Sequence, residues 1–139
     1  MKVQVSAGGV VYKKESDGIK ILVGKHSGHN GWVFPKGLVG DHIAGESKEA
    51  TALREVKEET GIVGEIEKSL KPETYWYLWE GEKIQKTVHY FVMKYSSGDT
   101  KDHDWEMSEV EWLPISEVEG RLTYDSDKKV WKEAVELIK

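Results

Sequence analysis

The chain has 139 residues, 38% hydrophobic and 32% charged, with 20 Lys plus Arg against 25 Asp plus Glu and no cysteine. That length fits one domain, residues 1–139, with a core that needs no disulfide staple, and the missing cysteine excludes a thiolate zinc site or cysteine nucleophile. The net charge of −5 argues against a footprint for duplex nucleic acid, and no run approaches the ~18 apolar residues of a membrane span.

Residues 3–13 and 19–25 are β-rich runs flanking Glu15-Ser16-Asp17-Gly18, a hairpin signal. Gln4 and Ser6 interrupt the first run, so it reads as a strand rather than a signal peptide, and a cytoplasmic home is the expectation. Residues 26–31 form a glycine-rich turn into a short strand, Trp32-Val33-Phe34, which Pro35 stops. Over residues 47–60 the composition shifts to Ala, Leu, Lys and Glu, and Gly61 supplies a helix stop. Residues 62–69, 74–79 and 84–95 read as three more strands, the last two joined by a turn at Glu80-Gly81-Glu82. Residues 110–113 are a further strand ended by Pro114. Ser116-Glu117-Val118-Glu119 predicts a capping box for a brief helix. A C-terminal helix starts near Ser126, with Val130, Ala134, Leu137 and Ile138 on its inner face. Strands before, between and after two main helices predict an α/β sandwich with a mixed sheet.

The helix over residues 47–60 carries the chemistry. Glu55, Glu58 and Glu59, at i, i+3 and i+4, project from one helical face. Three like charges repel one another unless something positive sits above them. Arg54 neutralises part of this from the adjacent edge, and hard cations do it better, because magnesium prefers carboxylate oxygen. Ala50, Leu53 and Val56 are the expected packing face. Glutamate-rich helices often only face solvent, so the triplet alone decides nothing; the surrounding segment does. An acidic protein can hold a polyphosphate if divalent metal intervenes.

Gly40, then Glu46, then Arg54-Glu55-Val56-Lys57-Glu58-Glu59-Thr60-Gly61-Ile62 match the Nudix box at its nine specified positions across 23 residues. The chain therefore resembles the Nudix hydrolases, and the likeness runs along nearly its whole length. Ser6-Ala7-Gly8-Gly9-Val10-Val11 is similar to the family's first core strand, and Trp32-Val33-Phe34-Pro35-Lys36-Gly37 to the segment entering the box. Residues 86–91, Glu106 and Val110-Glu111-Trp112-Leu113 resemble the asymmetrical diadenosine tetraphosphate hydrolase branch. One departure stands out. Relatives use the glycine of Pro-Lys-Gly as the first glycine of the box, but here Gly37 lies nine positions before Glu46. The loop over residues 38–44 is then three residues longer, and either Gly37 or Gly40 is the structural equivalent.

The resemblance implies an α/β/α sandwich around a central mixed β-sheet, and a hydrolase dependent on Mg2+, with Mn2+ able to substitute. It implies that Glu55, Glu58 and Glu59 ligate the metal, and that one of them, or Glu106, is the general base. Glu106 is also a candidate ligand, Arg54 belongs to the catalytic group, and Lys36 offers a backbone carbonyl to metal and an ammonium to phosphate. Gly40, Glu46 and Gly61 are structural residues of the box, with Glu46 pairing to Arg54. Lys86, Tyr77 and Tyr90 are candidate substrate contacts, Tyr90 as the base-stacking ring. His26 and His29 sit in a glycine turn without further ligands and read as surface residues; His42, His89 and His103 read as structural or exposed.

The implied partner is a small nucleotide, with diadenosine tetraphosphate cleaved to ATP and AMP as the first expectation. ADP-ribose, modified nucleoside triphosphates, capped RNA 5′ ends and diphosphoinositol phosphates are the alternatives within the fold. A non-catalytic nucleotide sensor is the alternative from another class, and it predicts eroded box glutamates, which this sequence does not have. Monomer and homodimer both remain open.

Overall fold

In the computed structural model, residues 2–40 and 43–139 are described; His42, and with it part of the long loop, lies outside them. The strands are β1 (Lys2–Glu15), β2 (Gly18–His26), β3 (Trp32–Val33), β4 (Lys36–Leu38), β5 (Ile62–Ser69), β6 (Glu73–Trp79), β7 (Glu82–Gly98) and β8 (Met107–Pro114). The helices are α1 (Lys48–Thr60), α2 (Ile115–Arg121) and α3 (Asp125–Ile138), with a 3-10 turn at Thr100–Asp102.

Two long strands organise the sheet. β1 runs parallel to β7, from Lys2 opposite Ile84 to Tyr12 opposite Lys94, and the other pairings are antiparallel, so the sheet is mixed. Its main order is β3-β2-β1-β7-β5, with β4 on β1, β6 on β7 and β8 on β2. Two-residue turns close the hairpins: Glu15 pairs with Gly18, and Trp79 with Glu82. In the second, Glu80 and Gly81 both have positive φ, the left-handed pair whose twist matches the flanking strands.

The period of two along each strand sends alternate residues to two cores. Val10, Ile21, Val23, Val88 and Val92 meet Val118, Val130, Trp131, Ala134 and Ile138 on the α2/α3 side. Ala7, Val11, Leu22, Phe91 and Met93 meet Ala52 and Val56 of α1 on the other. This is the expected α/β/α sandwich. Among the described residues, no helix is long and apolar enough to cross a membrane.

Several local expectations change. The packing face of α1 is Ala52 and Val56, while Ala50 is exposed and Leu53 is 36% exposed. At 100° per residue, positions 51, 52, 55, 56 and 59 share one arc, so the face that packs is also the face that carries two of the glutamates. In α3 the inner residues include Trp131, and Leu137 points outward at 39% exposed. Helix α2 already includes Ile115, which moves Ser116 to the second helical position; Pro114 is the cap and makes no side-chain bond. β4 was not anticipated: residues 36–38 pair with Gly8, Ala7 and Ser6 of β1.

Candidate functional site

Helix α1 is fixed at both ends. Ser47 accepts the Ala50 N–H at 3.1 Å, and Gly61 ends the helix in the left-handed region at φ 79 while its N–H bonds back to Lys57. Between these caps the helix lies against β4, and the contact is close. A Cβ on Gly37 would stand 2.1 Å from the Glu55 carboxyl carbon, so any larger residue must displace that carboxylate. Gly40, by contrast, has φ 77 and open space around it. Gly37 thus lies against the carboxylates, and Gly40 serves a turn.

Arg54 gathers the acidic groups. Its Nε and Nη2 donate to Glu46 at 3.0 and 2.9 Å, and its Nη1 donates to Glu55 at 2.9 Å and to both Glu58 oxygens at 3.2 Å. The bonds to Glu46 foremost hold the guanidinium pKa above its ordinary value. Glu46 also accepts from Thr51 at 2.7 Å, tying the loop before α1 to the helix. Glu58 stands apart, on the exposed edge beside Arg54.

Glu55 and Glu59 are 5% and 2% exposed and line a cleft of about 330 Å³ with Glu106, Lys36 and Lys86. Burial, then the neighbouring Glu55 carboxyl and then Glu106, push the Glu59 pKa up to about 10. Its Oε2 is buried with no hydrogen-bond partner among the described residues. A crowded, oxygen-only donor set with a buried orphaned oxygen is what a hard divalent cation satisfies, so these residues fit magnesium. Among the described residues, no three carboxylate or imidazole groups already converge at ligating distances. Burial and Lys36 lower the Lys86 pKa to about 8, and both lysines line the cleft with the carboxylates.

A second cavity, of about 640 Å³, opens beside the first and shares His29, Val33, Lys36 and Lys86 with it. Tyr75, Tyr77, Tyr124, Ser126 and Asp127 line the rest. Tyr77 donates to Gln4 at 2.8 Å, which holds its ring along the wall.

Tyr90 is in neither cavity. It is 4% exposed, edge-on to Phe34, and its hydroxyl donates to Asp127 at 3.3 Å. A ring enclosed on both faces has none open for a base, so the stacking expectation is corrected: Tyr90 packs the core. His89 and His103 line neither cavity.

His26 is half-buried and His29 exposed, as expected of surface residues, but the surface they occupy is the cleft wall. Their rings stack at 4.2 Å and 6°, and both line the carboxylate cleft. Burial first lowers the pKa of each, with Lys36 contributing to both. Tyr124 and Asp127 also escaped sequence reading. An aspartate in a helix's first turn reads as a dipole partner; only the tertiary structure buries Asp127, to 4% exposed, where burial raises its pKa.

A family profile described as the NUDIX domain matches residues 2–135. The chain is 39% identical over 97% of its length to a Mycobacterium tuberculosis protein, "Putative mutator protein MutT4". It is 30% identical over 84% of its length to an 8-oxo-(d)GTP phosphatase of Mycolicibacterium smegmatis. It spans 56% and 34% of the length of these two curated relatives. Among solved structures, a C. elegans Ap4A hydrolase binary complex superposes with a TM-score of 0.75 at 25% identity, covering 97% of each chain.

Proposed function

The chain belongs to the Nudix domain family, and from that premise we propose that it is a magnesium-dependent hydrolase cleaving a diphosphate linkage in a nucleoside polyphosphate. The observation that carries this is the buried Glu55–Glu59 pair, with its orphaned oxygen, lining one cleft with Lys36 and Lys86. A charge-balanced cleft of this kind binds a polyanion only when cations fill its acidic side.

Glu55 and Glu59 would hold the metal, with Glu58, Glu106 and the Lys36 carbonyl as the further candidate ligands. Magnesium supplies charge neutralisation and Lewis-acid polarisation of the phosphoryl oxygens. Arg54 keeps Glu55 and Glu58 oriented through its bonds to both, with Glu46 anchoring the guanidinium. One of Glu55, Glu58, Glu59 or Glu106 accepts the proton of the attacking water. Lys36 and Lys86 hold the phosphate chain in line for that attack, because their ammonium groups stand where the two cavities meet. The nucleobase occupies the tyrosine chamber, against Tyr77.

For the substrate we favour a dinucleoside tetraphosphate, split asymmetrically into ATP and AMP. Support comes from the stretch of residues 86–91 with Glu106, and from the likeness to the C. elegans Ap4A hydrolase. Four phosphates also engage Lys36 and Lys86 more fully than two. A modified nucleoside triphosphate is the second reading, favoured by the two mycobacterial relatives. A nucleotide panel with magnesium and chromatographic product analysis separates them. ATP plus AMP from diadenosine tetraphosphate supports the first reading; faster turnover of 8-oxo-dGTP supports the second.

A further inference from the structure

We propose that His26 and His29 form a two-ring donor clamp for the phosphate chain of a nucleotide, seated where the carboxylate cleft meets the tyrosine chamber. The inference rests on the nucleotide reading above and adds two binding residues to it.

The turn that carries the rings is built, not loose. His26 N–H donates to Gly31 at 2.9 Å and Asn30 N–H to His26 at 2.8 Å, with Asn30 at φ 60. The backbone N–H of Gly28 points at His26 Nδ1, and that of Gly31 at His29 Nδ1, each at 3.0 Å. A backbone N–H only donates, so each Nδ1 is a bare acceptor and each ring is neutral, with its hydrogen on Nε2. The Tyr124 hydroxyl stands 2.8 Å from the same Nδ1 of His29 and meets the ring edge-on. The turn is also tied to the backbone of Glu106: Ser27 donates to its carbonyl through its N–H at 2.8 Å and its hydroxyl at 3.0 Å.

With Nδ1 occupied, Nε2–H is the remaining polar group of each ring. It is a donor, so it suits phosphate oxygen and does not suit a divalent cation, which needs a bare nitrogen. His29 lines both cavities, so a chain running from the tyrosine chamber to the carboxylates passes it. Lys36 and Lys86 supply charge there; the imidazoles supply direction.

The test compares α,β-methylene-ATP, whose P–C–P link resists hydrolysis, with adenosine, which has no phosphate. Both are titrated calorimetrically, with magnesium, into wild type, His29→Phe (H29F) and His29→Gln (H29Q). The phenyl ring keeps the stacking and loses the donor, whereas the glutamine amide restores an N–H. H29F should bind the ATP analogue about tenfold more weakly, the scale of one hydrogen bond to a charged group. Its adenosine affinity should be unchanged, and H29Q should recover most of the loss. H26F, measured in the same way, reads the second donor whether or not H29F folds. Unchanged analogue binding in these phenylalanine variants overturns the clamp, as does an equal loss for adenosine, which marks a merely structural turn. If the wild type binds neither ligand, the nucleotide reading falls, and the clamp with it.

Discussion

Glu59 is the residue on which the site's energetics turn. Without metal its charged form is buried beside Glu55, so the folded protein holds a proton that the unfolded chain releases. Its folded pKa of about 10 lies above the ordinary 4.5, so metal-free stability falls as pH rises between those values. The drop is read best between about pH 7 and 8, above the ordinary imidazole value of 6.5 and below the Lys86 pKa of about 8. In chelator, thermal melts should drop across that window for wild type and stay flatter for Glu59→Gln; parallel slopes would refute the assignment. Glu59→Gln should also lose two or more orders of magnitude in kcat with magnesium while melting no lower than wild type, since it removes a carboxylate that must take up a proton to be buried. Gly37→Ala addresses the same cluster from the other side: the added methyl must displace the Glu55 carboxyl. Activity should fall at least tenfold with the far-ultraviolet circular dichroism preserved, and full activity would mean the β4–α1 contact is not needed.

At the scale of elements, much of α1 was legible in the sequence because its boundary signals are local. Ser47 and Gly61 act through bonds within the helix, and Ser47→Ala should cost about 1 kcal/mol, read as a Tm lower by a few degrees. An unchanged melt would show the cap to be solvated rather than stabilising. The packing face was misread because residues 50, 53 and 56 appeared to lie opposite the glutamates, whereas Ala52 and Val56 flank the buried carboxylates on one arc. Strand alternation gave β1, β2 and β7 their two faces. The three-residue β4 was hidden because glycine and proline around Lys36 read as loop, and only its pairing with β1 makes it a strand. Tyr90 packs the core, and His26 and His29 line the cleft from the surface, for one reason. Sequence sets a residue's element and parity, but which side of the sheet holds the cavity depends on how α3 and the 26–31 turn pack.

For the whole molecule, the net charge of −5 and the cleft's two lysines set the logic: an acidic protein meets a polyanion through metal. Magnesium should therefore raise Tm, because a ligand bound only by the folded state stabilises it by mass action. That gain should shrink in Glu59→Gln, and an equal gain in both would place the binding elsewhere. The fold's two-layer helix cover was readable from strand and helix order, while the tyrosine chamber beside the cleft was not, since Tyr75, Tyr77 and Tyr124 come from distant segments. The most direct test of the central claim is hydrolysis of diadenosine tetraphosphate and 8-oxo-dGTP at saturating magnesium, then in excess chelator, with products resolved by chromatography. Cleavage at a diphosphate linkage of at least one of them is expected with magnesium, and none in chelator. Full turnover in chelator, or no diphosphate cleavage of either with magnesium, would contradict that claim.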